Sequence, residues 1–195
     1  MPEVTFRILR YKPDHIDPPR YQNFKLQVLP NMTVLDCLEK IRREQDSTLM
    51  YRHSCHHSSC GTCACKINGI ERLACTTRVI ELNPETITLE PLDGFTCRGD
   101  LVVEMHKFFA DLSEEWTNLK QVENPESARL PPGIKQFACF ENCIECGACV
   151  SACPVNQKNK KFIGPAVLAA INKELQKHPE KNEELSSLAG RKRGV

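Results

Sequence analysis

The sequence predicts an α+β protein in two parts, one mixed in α and β and one helical. Three observations carry that expectation. Apolar residues alternate along Val4 to Tyr11 and along Phe24 to Leu29, then switch to helical spacing at Val34, Leu35, Leu38 and Ile41. The 12 cysteines of this 195-residue chain gather mainly in two groups, Cys55 to Cys75 and Cys139 to Cys153. Between them Lys120 to Gln136, with Asn124-Pro125 and Pro131-Pro132-Gly133, has the composition of a linker.

The elements follow in order. A Pro-rich turn over Pro13 to Pro19 joins the first two strands. Thr33 with Asp36 three residues on is a helix start, a hydroxyl cap answered by a carboxylate. Short strands are expected at Cys65 to Asn68 and Thr86 to Leu89. Leu101, Val102, Met105, Phe108, Phe109, Leu112, Trp116 and Leu119 recur at helical spacing, which predicts an amphipathic helix over 101–119. Gly164-Pro165 opens a further helix with Val167, Leu168, Ile171 and Leu175 on its apolar side. From His178 the chain turns polar and reads as a frayed or disordered tail. The expected layout is 1–120 for the first domain, 121–136 for the linker, 137–177 for the second domain and 178–195 for the tail.

Composition narrows the function. Lys plus Arg number 26 and Asp plus Glu 25, so the formal charge of +1 gives no reason to expect nucleic acid as a partner. No apolar run reaches the roughly 18 residues that span a bilayer, and Met1 to Arg10 lacks the apolar region of a secretory signal. The expected setting is therefore reducing, and clustered thiols there are metal ligands before they are disulfides. No phosphate loop, nucleophile triad or catalytic carboxylate pair can be assembled.

Cys55, Cys60 and Cys63 stand as C-x4-C-x2-C, and Cys75 follows after eleven residues. This is the plant-type [2Fe–2S] spacing. Gly61, Ser58, Ser59 and Thr62 let the loop bend sharply and turn amide N–H groups toward sulfur. A zinc ribbon would bring a second C-x2-C beside Cys60 and Cys63, and a Rieske centre a C-x2-H to match Cys55-x-His57; neither is present. His56 and His57 are expected as exposed loop residues.

Cys143, Cys146, Cys149 and Cys153-Pro154 stand as C-x2-C-x2-C-x3-C-P, the bacterial ferredoxin run of a [4Fe–4S] cube. No cysteine follows Cys153, so the fourth ligand comes from Cys153, from Cys139 or from a partner. Cys37, Cys65 and Cys97 are expected as small buried apolar residues.

Both groups in this order resemble the iron–sulfur subunit of succinate dehydrogenase and fumarate reductase, over most of residues 3–171. The resemblance rests on Val34-Leu35-Asp36, Asp46 to Leu49, Ser54 to Cys63, Ile67-Asn68-Gly69, Leu73 to Thr76, Asp100-Leu101-Val102, Cys143 to Pro154 and Gly164-Pro165-Ala166. It implies a β-grasp, plant-ferredoxin-like first domain and an α-helical ferredoxin second domain. It further implies an oxidoreductase subunit that relays electrons from a flavoprotein (FAD) subunit toward a quinone in a membrane anchor and has no substrate-converting site of its own. Such a chain would sit on the cytoplasmic side, peripheral to the membrane through its partners. By that likeness Cys55, Cys60, Cys63 and Cys75 hold [2Fe–2S], Cys143, Cys146 and Cys149 hold [4Fe–4S], and Cys153 matches a ligand of a third centre.

The departures are specific. The family's last C-x5-C-x3-C-P segment is missing, which leaves a [3Fe–4S] centre short of ligands and reads as a C-terminally short variant. Val155 to Lys160 replace the tryptophan-bearing stretch of the quinone pocket, and His56 replaces the usual Arg. The other outlet these departures suggest is a soluble thiol/disulfide or cluster-bearing redox subunit.

Overall fold

The computed structural model describes residues 2–82, 85–112, 143–159, 161–177 and 179–190. They fall into two units. One takes in the chain up to Glu104 together with Ile144–Ala152, and the other the described residues of Met105–Cys143 and Cys153–Val195. The short cysteine-bearing stretch 144–152 thus groups with the first unit rather than with the helices that follow it.

The first unit is built on a five-stranded mixed sheet of order β2-β1-β5-β3-β4. Its strands are β1 (Glu3–Lys12), β2 (Ile16–Gln27), β3 (Ala64–Ile67), β4 (Ile70–Leu73) and β5 (Thr86–Glu90). β1 runs antiparallel to β2 and parallel to β5, and helix α1 (Val34–Glu44) lies in the connection between them. This is the expected β-grasp arrangement. Val4, Phe6 and Ile8 of β1 face inward at alternate positions, with Phe24 and Leu26 opposite them. β2 starts earlier than its apolar pattern suggests, at Ile16, and the turn shrinks to 13–15. Pro18 and Pro19 are tolerated because β2 is an edge strand with one side unpaired.

Helix α1 opens on the expected capping box. Asp36 N donates to Thr33 Oγ1 and Thr33 N donates to Asp36 Oδ2, at 3.2 and 2.8 Å. Val34, Leu35, Cys37, Leu38 and Ile41 pack its inner face onto the sheet. Two further first-turn amides, which no helix can satisfy internally, donate across the fold: Val34 N to Thr77 O at 2.9 Å and Leu35 N to Ala74 O at 3.0 Å. The helix start thereby fastens the segment on either side of Cys75.

β3 and β4 form a hairpin with Ile67 opposite Ile70 and a two-residue turn, Asn68-Gly69, at φ 51° and 77°. The expected helix over 101–119 is shorter where it is described. Residues Val102–Val103 form β7 against β6 (Cys97–Gly99), because Asp100 at φ 42° closes a hairpin there, and α2 spans only His106–Asp111. Residues 113–119 and the linker lie outside the described residues.

The polar network of this unit centres on Arg10, an inward position of β1 that is 1% exposed. Its guanidinium donates to Gln22 and Asp46, both at 2.6 Å, and lies 3.0 Å from Asp100. Asp100, fully buried, accepts from Tyr11 N at 2.9 Å and Met50 N at 2.8 Å. These bonds fix residues 46–50, the run into the first cysteine loop.

In the second unit α5 (Pro165–Lys177) starts on Gly164-Pro165 as expected, preceded by α3 (Ala148–Ala152, in the first unit) and α4 (Pro154–Lys158). The segment read as a polar tail is structured over 179–190. A 3₁₀ turn at Pro179–Lys181 leads into α6 (Asn182–Gly190), and Leu185 is buried with Val167 and Ile171. Among the described residues, the apolar Leu185 docks a short helix that composition hides.

Two outcomes are expected. Asp100→Ala removes one of two carboxylate partners of buried Arg10 and the acceptor of two amides, and costs about 3–5 kcal/mol in urea unfolding. Burial works to raise the Asp46 carboxyl, but the Thr48 and Arg10 hydrogen bonds outweigh it and hold it at about 2. Against an unfolded value of about 3.9, this group adds stability above about pH 4 that is lost as pH falls toward 2. Asp46→Asn should flatten that acid limb in urea midpoints measured against pH.

Candidate metal centres

The first site is made by a loop and a hairpin. Cys63 immediately precedes β3 and Cys75 lies two residues beyond β4, so the eleven residues between them are a strand, a tight turn, a returning strand and Ala74. Ala74 N donates to Cys63 O at 3.2 Å, which holds the two ends together. Ser58 N of the loop reaches the Cys75 sulfur, and Cys60 N reaches that of Cys55. Cys55 thus neighbours Cys60, and Cys63 neighbours Cys75. Cys63 and Cys75 are buried, whereas Cys55 and Cys60 are partly open.

The loop turns its amides inward. His57 N, Ser59 N and Cys60 N donate to Cys55 Sγ at 3.5, 3.2 and 3.3 Å, and Ser58 N donates to Cys75 Sγ at 3.4 Å. Cys60 Sγ lies 2.7 Å from Thr62 Oγ1, and that hydroxyl is the chief reason the Cys60 thiol is lowered to about 6. Burial raises Cys63 to about 11. A thiol that keeps its proton so firmly becomes a thiolate only when a metal replaces that proton. Four thiols, with N–H donors on the sulfurs of Cys55 and Cys75 and a hydroxyl on that of Cys60, form a donor set that fits a [2Fe–2S] cluster, whose sulfurs carry the negative charge those donors stabilise.

Gly61 does two things in this loop. Its φ of 68° is left-handed, and a Cβ placed on it would lie 2.7 Å from Cys146 Cβ and 2.9 Å from Ile144 O. The first cysteine loop and the stretch carrying Cys146 thus touch through a position that only glycine can fill. Ser151, fully buried, fastens the same stretch: its Oγ donates to Glu71 Oε1 of β4 at 2.7 Å and accepts from Asp93 N at 2.8 Å. Nothing in the cysteine spacing singled out Ser151, and no signal short of the fold would have done so.

In the second run Cys146 precedes the Gly147 turn (φ 80°) and Cys149 is exposed on α3. Cys143 is exposed and belongs to the other unit, as does Cys153, which caps α4 with Pro154 in its first turn. Cys139 lies outside the described residues. Cys37 and Cys65 are buried, with thiols pushed up to about 12 by that burial, and Cys97 donates to Asp100 O at 3.4 Å. Cys37 and Cys65 fit the expected buried apolar role, whereas Cys97 is only half-buried. His56 and His57 are exposed.

A β-grasp domain with a four-thiol loop, followed by a tight cysteine run and helices, defines a two-domain ferredoxin-type iron–sulfur protein. Comparison with known proteins agrees. Residues 5–110 match a 2Fe-2S iron–sulfur cluster binding domain and residues 140–191 a 4Fe-4S dicluster domain. The fumarate reductase iron–sulfur subunit of Mycobacterium tuberculosis is 33% identical over 174 residues, covering 87% of this chain and 70% of that one. The succinate dehydrogenase iron–sulfur subunit of Coxiella burnetii is 35% identical over 171 residues, covering 85% and 72%. Among solved structures, a chain of the Mycobacterium smegmatis Sdh1 complex in the apo form superposes with a TM-score of 0.77 at 23% identity, over 93% of this chain and 80% of that one. The chain belongs to the family of succinate dehydrogenase and fumarate reductase iron–sulfur subunits. It is an electron-transfer subunit of an oxidoreductase of that type, with [2Fe–2S] and [4Fe–4S] clusters as its cofactors. Among the described residues no helix is long and apolar enough to cross a membrane.

Replacement of Gly61 by Ala should cost the protein its [2Fe–2S] iron, read by iron analysis and visible absorption. Gly69→Ala is the matched control: φ is 77° but nothing lies within 4 Å, so only left-handed strain of about 1–2 kcal/mol is paid and iron is kept.

Proposed function

We propose that this chain relays electrons between a flavoprotein (FAD) subunit and a quinone-linked membrane anchor, and that it is held at the membrane periphery by those partners. In this reading Cys55, Cys60, Cys63 and Cys75 hold the [2Fe–2S] cluster, within a β-grasp domain ending near residue 120. Cys143, Cys146 and Cys149 hold the [4Fe–4S] cluster at the head of the helical domain from about residue 137, with Cys153 or Cys139 as fourth ligand. The clusters supply one-electron storage and transfer. The chain's own residues do the rest: thiolates bind iron, amides and the Thr62 hydroxyl offset the charge on sulfur, and the β3–β4 hairpin fixes the spacing of the two buried ligands.

The observation that carries this reading is the contact at Gly61. The cysteine loop of the sheet and the stretch bearing Cys146 meet with no side chain between them, which suits passage of an electron from one metal site to the next. A second outlet is favoured by one feature of the helical part. Immediately after Cys153 the short helix α4 is Pro-Val-Asn-Gln-Lys, with Val155 46% exposed and no aromatic residue to line a quinone pocket. That composition suits delivery to a soluble thiol/disulfide or cluster-bearing subunit.

The ligand assignment and the outlet are tested separately. Cys55→Ser or Cys60→Ser should abolish the paramagnetic signal of the reduced [2Fe–2S] centre while the second cluster stays visible; an unchanged signal overturns the assignment. The complex purified with its natural companions should then reduce a water-soluble quinone at the expense of succinate. Reduction of a disulfide acceptor but not of the quinone selects the second outlet.

A further inference from the structure

Beside the first cysteine loop lies a second set of ligand atoms that iron does not need. Glu39 projects from the exposed side of α1, and His53 and His56 flank Cys55 on the loop. His53 Nδ1 and His56 Nε2 are 3.1 Å apart, and Glu39 Oε1 is 3.8 Å from the first and 3.5 Å from the second. We propose that Glu39, His53 and His56 form a binding site for a zinc-class divalent cation, separate from the iron–sulfur clusters, which clamps the cysteine loop to α1.

The two distances to Glu39 distinguish this from a carboxylate–imidazolium pair. A carboxylate paired with an imidazolium closes to about 2.7–2.9 Å, yet neither histidine approaches Glu39 that closely. Three atoms with the observed separations all lie about 2.0 Å from one common point, the length of a zinc bond to imidazole nitrogen or carboxylate oxygen. Two imidazoles and one carboxylate are a donor set that zinc accepts with water in the fourth position, and side-chain exposures of 37–44% leave room for that water. Imidazole ligands favour zinc, cobalt, nickel or copper over magnesium and calcium.

The rings are held for the purpose. His56 sits at φ 62°, a left-handed conformation that costs a non-glycine residue about 1–2 kcal/mol and that accompanies its ring edge-on to His53. His53 in turn packs against Tyr51, centroids 5.4 Å apart at 30°, which limits its rotation. Two ligands come from the loop and one from the helix, so a bound cation joins elements that otherwise meet here through solvent-exposed side chains.

The test uses the full chain with its clusters loaded, dialysed against zinc and then desalted. About one zinc per chain should remain beyond the iron, and zinc-edge X-ray absorption should give nitrogen and oxygen neighbours at about 2.0–2.1 Å with no sulfur. Glu39→Gln and His53→Ala should each lose that zinc at unchanged iron content and visible spectrum. Loss of an outer partner already weakens metal sites by about 10–100-fold, so loss of a ligand should weaken this one by at least about tenfold. No zinc retained by the unaltered protein, zinc retained by both variants at the unaltered protein's level, or a sulfur shell at about 2.3 Å overturns the proposal. The absorption spectrum of the unaltered protein decides the matter even if a variant sheds iron. Zinc and iron are counted independently, so failure here is distinct from failure of the cluster assignment.

Discussion

The first unit is organised by where its backbone N–H groups are directed. An α-helix leaves four amides unsatisfied at its start, and the amides of a sharply bent loop likewise have no ladder to join. Here α1 sends two of those amides to the carbonyls of Ala74 and Thr77, on either side of Cys75. The cysteine loop sends four to the sulfurs of Cys55 and Cys75. The same class of bond that starts a helix therefore positions one thiol, and the same class that shapes a loop conditions two. Sheet, helix and metal site are one hydrogen-bonding problem with one solution.

Much of this was legible from residue types. Four thiols at plant-type spacing pointed to a 2Fe-2S domain because iron–sulfur chemistry tolerates few alternatives, and Thr33 with Asp36 identified the helix start because few residues can cap. The Asn68-Gly69 turn was a readable signal for β4, since both turn residues need positive φ, but a strand of Ile-Glu-Arg-Leu has no apolar alternation to advertise it. Long-range partners were not legible. Arg10 reads as one more cation in an alternating strand until Asp46 and Asp100 close on it, and Ser151 as a small residue in a cysteine run until Glu71 and Asp93 meet it. Pairings across 36 to 90 positions leave no local trace.

Where periodicity misled, competing geometry explains why. Leu101, Val102 and Met105 fit a helical stripe, yet Asp100 accepts two distant amides and adopts a left-handed φ, and the hairpin this makes takes Val102 and Val103 as strand. A tertiary hydrogen bond outweighs a few tenths of a kcal/mol of helix propensity per residue. At the other end Leu185 reverses the inference from composition, because docking of one short helix needs an apolar contact rather than an apolar average.

The four thiols around the first site do not share one environment. Three amides and the Thr62 hydroxyl serve the Cys55–Cys60 pair near solvent, whereas the Cys63–Cys75 pair sits in the protein interior with one amide from the loop. Negative charge is stabilised by donors and by water, and opposed by burial. A [2Fe–2S] cluster held by these thiols would meet solvent and a hydroxyl donor on one side and the protein interior on the other, so the polypeptide would give an otherwise symmetric inorganic core a built-in polarity.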